Sequence, residues 1–270
     1  MANPTPLANY RFPVDPWRLT ELEYCDDDLG HTETLFAVGN GYIGMRANPE
    51  EGRNAHSHGT YVNGFHETWQ IKHAENAYGF ATTGQTIVNA PDAKLIKLYV
   101  DDEPLLLETA DLSGYERSLD FRTGELTRSF IWRTPGGKRV RVTSMRLVSF
   151  EHRHLAAMTF EVTVLDDAAP IVISSQLMNR QDGVDEYHVP DAALGEGDGT
   201  TDPRQASQFA DRVLEPMLSE QDGDHTVLGY RCVNSAMTLA VGMHHVVETT
   251  CAVDIEHSTE DDLAKTVFTV

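Results

Sequence analysis

The stretch Tyr61-Val-Asn-Gly-Phe-His-Glu-Thr-Trp69, running on to Tyr78, Phe80 and Asn89, gathers the residue types that hold a sugar. Aromatic faces cover the apolar side of a pyranose ring, and Asn, His and Glu bond its hydroxyls. His66, Glu67, Trp69 and Tyr78 are therefore candidates for residues close to a carbohydrate substrate. A plainer reading stands beside this one and weighs slightly more: Tyr61, Phe65 and Trp69 simply fill the interior of a β-sandwich.

Other chemistries find less support. His56 and His58 are two residues apart, as are His152 and His154, and residues i and i+2 of a strand share a face, so either pair could ligate a metal. With 12 histidines in the chain, close pairs arise by chance, no cysteine joins them, and no metal is expected. The runs Asp26-Asp27-Asp28, Asp101-Asp102-Glu103 and Glu260-Asp261-Asp262 read as turn or edge clusters, not as the paired carboxylates of a glycosidase. There is no Gly-x-Ser-x-Gly elbow and no phosphate loop ending in Gly-Lys-Ser/Thr. Gly39-Asn-Gly-Tyr-Ile-Gly44 fits a dinucleotide fingerprint only in spelling, because strand-like residues follow it where a helix is needed. No organic cofactor is implied.

Composition narrows the class further. Forty-two Asp and Glu against 21 Lys and Arg give a formal charge of −21, which repels nucleic-acid phosphates and anionic membranes and favours solubility. Three scattered cysteines form no disulfide framework. Residues Met1–Trp17 hold four prolines and no apolar core segment, so they are not a secretory signal, and no apolar run reaches the roughly 18 residues of a membrane span. A reducing cytoplasm fits this chain.

The elements that must position any site are strands. Short β-rich runs separated by Gly, Pro, Asn and Asp predict strands at 18–24, 34–38, 42–46, 93–100, 126–134, 139–149, 155–165, 171–178, 227–233, 236–247 and 265–270. Val140, Val142 and Ser144 alternate with Arg139, Arg141 and Thr143, the pattern of a strand with one buried face. Gly39-Asn40-Gly41 and Pro135-Gly136-Gly137 read as hairpin turns. Only Gln205–Glu215 has the stripe of a short amphipathic helix, which Pro216 would end. Many short strands without alternating helices predict an all-β fold, a large sandwich with a barrel as runner-up. Residues 1–16 read as an N-terminal extension and 17–270 as a single β domain, with an acidic loop and helix excursion at about 180–225 that includes Gln181–Asp202. The final strand stops at Val270 without turn or cap. The chain is thus expected to be a truncated piece of a longer protein, its last strand leaving an edge open to self-association.

Six stretches in order then resemble one family. They are Trp17–Glu21, Glu33–Arg46, Gly59–Phe65, Leu98–Pro104, Leu119–Arg128 and Ser144–Ser149. Together they are similar to the N-terminal domain of family 65 glycoside hydrolases, the maltose, trehalose, kojibiose and nigerose phosphorylases and their hydrolase relatives. The resemblance implies a galactose mutarotase-like β-supersandwich in front of an (α/α)6 barrel. It also implies that the general acid Glu and the phosphate-binding loop lie in that barrel, beyond residue 270. No position here matches either motif, so no catalytic residue is assigned and the chain alone is expected to be inactive. The implied reaction is inverting: an acid protonates the glycosidic oxygen while phosphate, or an activated water, attacks the anomeric carbon. The implied partners are an α-linked glucose disaccharide, phosphate and the (α/α)6 domain of the same polypeptide. A homodimer is among the partners this reading admits. Two other readings remain open, a free-standing carbohydrate-binding module and a mutarotase-like epimerase with its own acid and base.

Overall fold

The structure is a computed structural model that describes residues 7–52, 58–71, 73, 75, 77–179 and 212–270. Among these residues there is one α-helix, Leu29–Leu35, after a 3-10 turn at Asp26–Asp28, and the remaining regular structure is β-strand. The expected all-β class with few short helices is borne out. His56 and the acidic run Gln181–Asp202 lie outside the described residues. No helix among the described residues is long and apolar enough to cross a membrane.

The chain divides into two compact units. The first draws its described residues from Met1–Ala55, Ile96–Ile173 and Thr269. Its five-stranded antiparallel sheet runs in the order Arg18–Glu21, Asp111–Asp120, Leu126–Arg133, Arg139–Val148, Ala156–Val164. The period-two pattern read from the sequence holds: Val140, Val142, Ser144, Arg146 and Val148 are buried and their neighbours are not. Phe130, Trp132, Val140 and Val142 pack with Leu98 and Val100 in one apolar cluster. A second forms around Phe12, Phe36, Val38, Leu119 and Leu126.

Both predicted turns form. Thr134 N–H donates to the Lys138 carbonyl at 2.8 Å across the Pro135-Gly136-Gly137 turn, where Gly137 takes φ +90°. The other loop is Gly41-Tyr42, one residue later than the Asn-Gly spelling suggests. Asn40 N–H donates to the Ile43 carbonyl, and Asn40 Oδ1 accepts from the N–H groups of Tyr42 and Ile43. Asp101 and Asp102, both at positive φ, form the two-residue turn between Val100 and Glu103, so that acidic run is indeed a turn.

The strand predicted at 34–38 does not form as one: Thr34 and Leu35 end the helix and only Val38 enters a strand. Leu29, Thr32, Glu33 and Phe36 are buried at spacings of three, four and seven, which is helical period. The pattern is hidden because two of the four are polar. Glu33 is tolerated inside because Arg46 pairs with it at 3.3 Å and also bonds the Gly30 carbonyl and Thr34 Oγ1.

A charged interior lies on one face of the sheet. Arg117, Arg128 and Arg146 come from three adjacent strands and are all buried. Arg128 forks onto Glu51 at 2.8 and 2.9 Å and reaches Glu50 at 2.6 Å. Arg146 bonds Glu50 and the carbonyls of Arg46 and Asn48, while Arg117 pairs with Glu21. Burial alone would push the Glu50 carboxyl up, but Arg128 and Arg146 hold it below the ordinary carboxylate range. The segment 46–51 is therefore fastened to the sheet by ion pairs and charge-assisted hydrogen bonds, with Ala47 packed into the apolar cluster around Leu119 and Leu126.

The second unit draws its described residues from His56–Leu95, Ser174–Phe268 and Val270. It contains the three-stranded sheet Leu214–Asp222, His225–Cys232, Thr238–His244 and the hairpin of Thr60–Gln70 with Thr83–Asn89. Phe65, Val88, Leu177, Leu214, Leu228 and Tyr230 form its apolar core. A further sheet has the order Asp254–Thr259, Leu263–Thr269, Ile171–Met178, Asp92–Val100, Glu103–Pro104. The last strand of the chain is thus flanked on both sides, and the expected open edge there is corrected. The helix predicted at 205–215 is also corrected where it can be followed. Leu214 and Glu215 begin a strand, and Pro216 sits at a β-bulge, where a missing N–H interrupts the ladder least.

Candidate functional site

The segment 61–89 shows little strand pattern in sequence, yet most of it is a long antiparallel hairpin. The pattern is broken by an irregularity between Tyr61 and His66, where Gly64 takes φ +84°. Beyond it the register is regular: His66 faces Ile87, Glu67 faces Thr86, Thr68 faces Gln85 and Trp69 faces Gly84.

This register separates the candidates. Phe65, Glu67 and Trp69 share one face of the hairpin, and His66 and Thr68 point from the other. Phe65 is buried in the core cluster, so the first face is the inner one. Glu67 is almost fully buried on it. Its carboxylate accepts the N–H groups of Thr68, Asn234 and Ser235 at 2.7, 2.9 and 2.6 Å. Asn234 Nδ2 donates to the Thr68 carbonyl and Ser235 Oγ to the His66 carbonyl. Glu67 therefore anchors the turn between His225–Cys232 and Thr238–His244 to the hairpin. With its oxygens engaged by backbone donors, it is a positioning group and not a free acid.

Trp69 is half-buried and covers Gly84, donating from Nε1 to Thr86 Oγ1 at 3.2 Å. On the outer face His66 accepts from the Gln85 amide at Nε2 and contacts the Gly64 carbonyl through Nδ1, both at 2.9 Å. That pairing fits a ring with its proton on Nδ1. Ile87 lies beside it, 48% exposed. Tyr78 is fully exposed in the connection between the two strands, a segment in which His73 and Phe80 form a ring pair at 5.0 Å. The structure thus brings Glu67 and Trp69 together inside, His66 outside, and Tyr78 at the hairpin's end.

Sequence reasoning missed the polar support beneath this hairpin. Lys94, buried, donates to Asp92 at 2.7 Å, to Thr60 Oγ1 at 2.6 Å and to the His58 carbonyl at 2.9 Å. The three acceptors satisfy all three ammonium protons. His58 Nδ1 lies 3.3 Å from Asp92, so this histidine borders the Lys94–Asp92 ion pair. The signal was present as Asp92-Ala-Lys94, two opposite charges at strand spacing at the head of a run that is apolar to Val100 apart from Lys97. His152 and His154 sit in a turn, where His154 meets the Tyr42 ring edge-on at 4.6 Å. Among the described residues no three His, Cys, Asp or Glu side chains converge as metal ligands.

The described residues form an all-β fold with an aromatic hairpin at the candidate site. The comparisons assign that fold to a family. The family model of the glycosyl hydrolase family 65 N-terminal domain matches residues 19–270, and the chain belongs to that family. An uncharacterized glycosyl hydrolase of Mycobacterium tuberculosis is 38% identical over 255 residues, 94% of this chain and 31% of that protein. The α,α-trehalose phosphorylase of Thermoanaerobacter brockii is 31% identical over 271 residues, 99% of this chain and 33% of its own length. The kojibiose phosphorylase of Escherichia coli is 28% identical over 210 residues, 77% of this chain and 24% of its own. A solved structure of a kojibiose phosphorylase-like protein from the human microbiome superposes with a TM-score of 0.76 at 19% identity. It covers 96% of this chain and 31% of that one, which shows a shared fold. The chain spans about a third of the length of these relatives.

Proposed function

We propose that this chain is the N-terminal β domain of a cytoplasmic enzyme that cleaves an α-linked glucose disaccharide with inversion, by phosphorolysis. The observation that supports this most directly is the likeness to a trehalose phosphorylase along 99% of the chain. An (α/α)6 domain of the same polypeptide supplies the general acid and the phosphate site, and the β domain supports it. Within this domain the hairpin 60–89 faces the substrate. Tyr78 and His66 contribute by contact, and Trp69 and Glu67 by holding the hairpin's shape.

Three measurements test the reading. The purified chain, incubated with trehalose, kojibiose or maltose and phosphate, should release neither glucose nor glucose 1-phosphate above background. Release of either product would remove the accessory role. In the full-length enzyme Tyr78→Ala should lower kcat/KM about tenfold, equivalent to about 1.4 kcal/mol. Because Tyr78 is fully exposed, its removal should leave the melting temperature unchanged. An unchanged kcat/KM would take the hairpin away from the substrate. Titration of the isolated chain with the same disaccharides separates this role from that of a free-standing sugar-binding module, which alone would saturate.

A further inference from the structure

In the second unit's three-stranded sheet, His225 and His244 stand directly opposite each other on adjacent strands. Their rings stack, with centroids 4.3 Å apart and planes 17° from parallel. Cys232 N–H donates to the Met237 carbonyl, and the unbroken register counted back from there makes His225 and His244 a non-hydrogen-bonded pair. Side chains approach most closely in pairs of that kind. Thr226, Leu228 and Tyr230 turn inward and Met243 packs on the same core, whereas His225 and His244 are exposed. Asp222 pairs with His225 on its other side, so a carboxylate shares the row and the face. The other imidazoles of this region are engaged elsewhere: His245 bonds Ser175 and His257 bonds Thr266.

We propose that His225 and His244 form a bidentate site for a divalent first-row transition-metal ion, with Cu²⁺ held most tightly. Neutral imidazole suits Cu²⁺, Ni²⁺ and Zn²⁺, and Cu²⁺ leads that order. Two imidazole nitrogens at right angles about one ion, each at about 2.0 Å, stand roughly 3 Å apart. Rings already in face contact reach that separation by turning about their Cβ–Cγ bonds, a soft torsion for histidine. Among the described residues no third His, Cys, Asp or Glu converges with the pair, so water fills the remaining positions. Asp222 then acts through such a water or through its charge. Mg²⁺ and Ca²⁺, which take oxygen ligands, should not compete. The site depends on the sheet register alone and not on the catalytic reading.

Cu²⁺ titration of the full chain, with the accessible thiols of Cys25 and Cys251 alkylated, tests the site. At one equivalent, pulsed electron paramagnetic resonance should show two imidazole nitrogens on the copper. His225→Gln and His244→Gln should each lower the affinity about tenfold, because each removes the chelate. The double variant should bind no more weakly than either single one. His245→Gln, one residue along but on the inner face, should bind as the wild type does. Cu²⁺ should raise the melting temperature of the wild type and leave that of the two ligand variants unchanged. Both histidines are exposed, so without metal the variants should melt with the wild type, which separates a lost ligand from a lost fold. A single bound imidazole, equal binding of Mg²⁺, or losses that simply add in the double variant overturn the proposal. So does an intact enzyme without the two-nitrogen signal, since another part of the polypeptide would then occupy this face.

Discussion

Trp69 and Gly84 face each other across the hairpin, and the glycine is required by the indole. A Cβ built on Gly84 would lie 2.5 Å from Trp69 Cζ2 and 2.7 Å from Nε1, and closer still to Cε2. An aromatic ring laid over a strand glycine shields backbone that would otherwise be solvated and fills the space a side chain would take. Gly84→Ala should therefore displace the indole and destabilise the chain by about 1–3 kcal/mol, the cost of overpacking. Trp69→Ala should cost a similar amount through lost burial. The double variant should cost clearly less than the sum, because alanine at 84 is acceptable once the ring is gone. Strict additivity in a urea-denaturation cycle would show that the two residues do not interact.

Glu67 offers a second test of the same hairpin. Three backbone N–H groups converge on its carboxylate, two of them from Asn234 and Ser235, far along the chain. Glu67→Gln keeps the shape but turns one acceptor into a donor that faces an N–H group. A buried donor left unmatched costs about 1–3 kcal/mol, so the variant should lose stability in that range. Exchange of the Asn234 and Ser235 amides should accelerate more than that of the hairpin strands. Uniform acceleration would place the effect in global stability.

Strands were legible in sequence where one face is apolar, and illegible where the buried residue is charged or the register shifts. Arg139–Val148 carries its pattern openly. Asp111–Asp120 does not, because a bulge between Ser113 and Glu116 resets its alternation and two of its buried residues are Arg117 and Ser118. The hairpin at 60–89 fails for the same reasons, with Gly64 at the irregularity and Glu67 inside. The site residues could be picked out by type, but not by face. His66 and Glu67 are neighbours in sequence and opposite in space, and only the register shows which of them meets solvent.

The buried arginine interior should be costly to open. Arg128 is held by two glutamates in a fork that only a guanidinium matches. Arg128→Ala leaves Glu51 buried without its partner and should cost about 3–5 kcal/mol. Arg128→Lys should recover little of this, since an ammonium is a point charge and cannot span both carboxylates bidentately. Guanidinium chloride denaturation of the two variants checks this. A lysine variant as stable as wild type would mean that charge alone, without the fork, fastens the 46–51 segment.

Stability should fall in two steps on acidification. Burial pushes the His245 imidazole below its ordinary value of 6.5, and repulsion from His257 and His244 adds to this while Asp224 opposes it. Its Nε2 bonds Ser175 Oγ at 2.9 Å, and its ring meets Phe268 edge-on. Between the ordinary value and the lower folded one, the unfolded chain binds a proton that the folded chain refuses. Stability therefore rises with pH across that window and is fully present above about 6.5. Glu50 acts in the same direction at lower pH. Its folded carboxyl titrates below the ordinary 4.5, so its contribution is present above that value and is lost as pH falls through the folded one. Melting temperature against pH should be flat above neutrality, decline below about 6.5 and decline again below about 4.5. In His245→Gln, which keeps a hydrogen-bonding group toward Ser175, the first decline should shrink and the second should persist. If the slope between pH 7 and pH 5.5 is the same in variant and wild type, His245 is not the group that titrates.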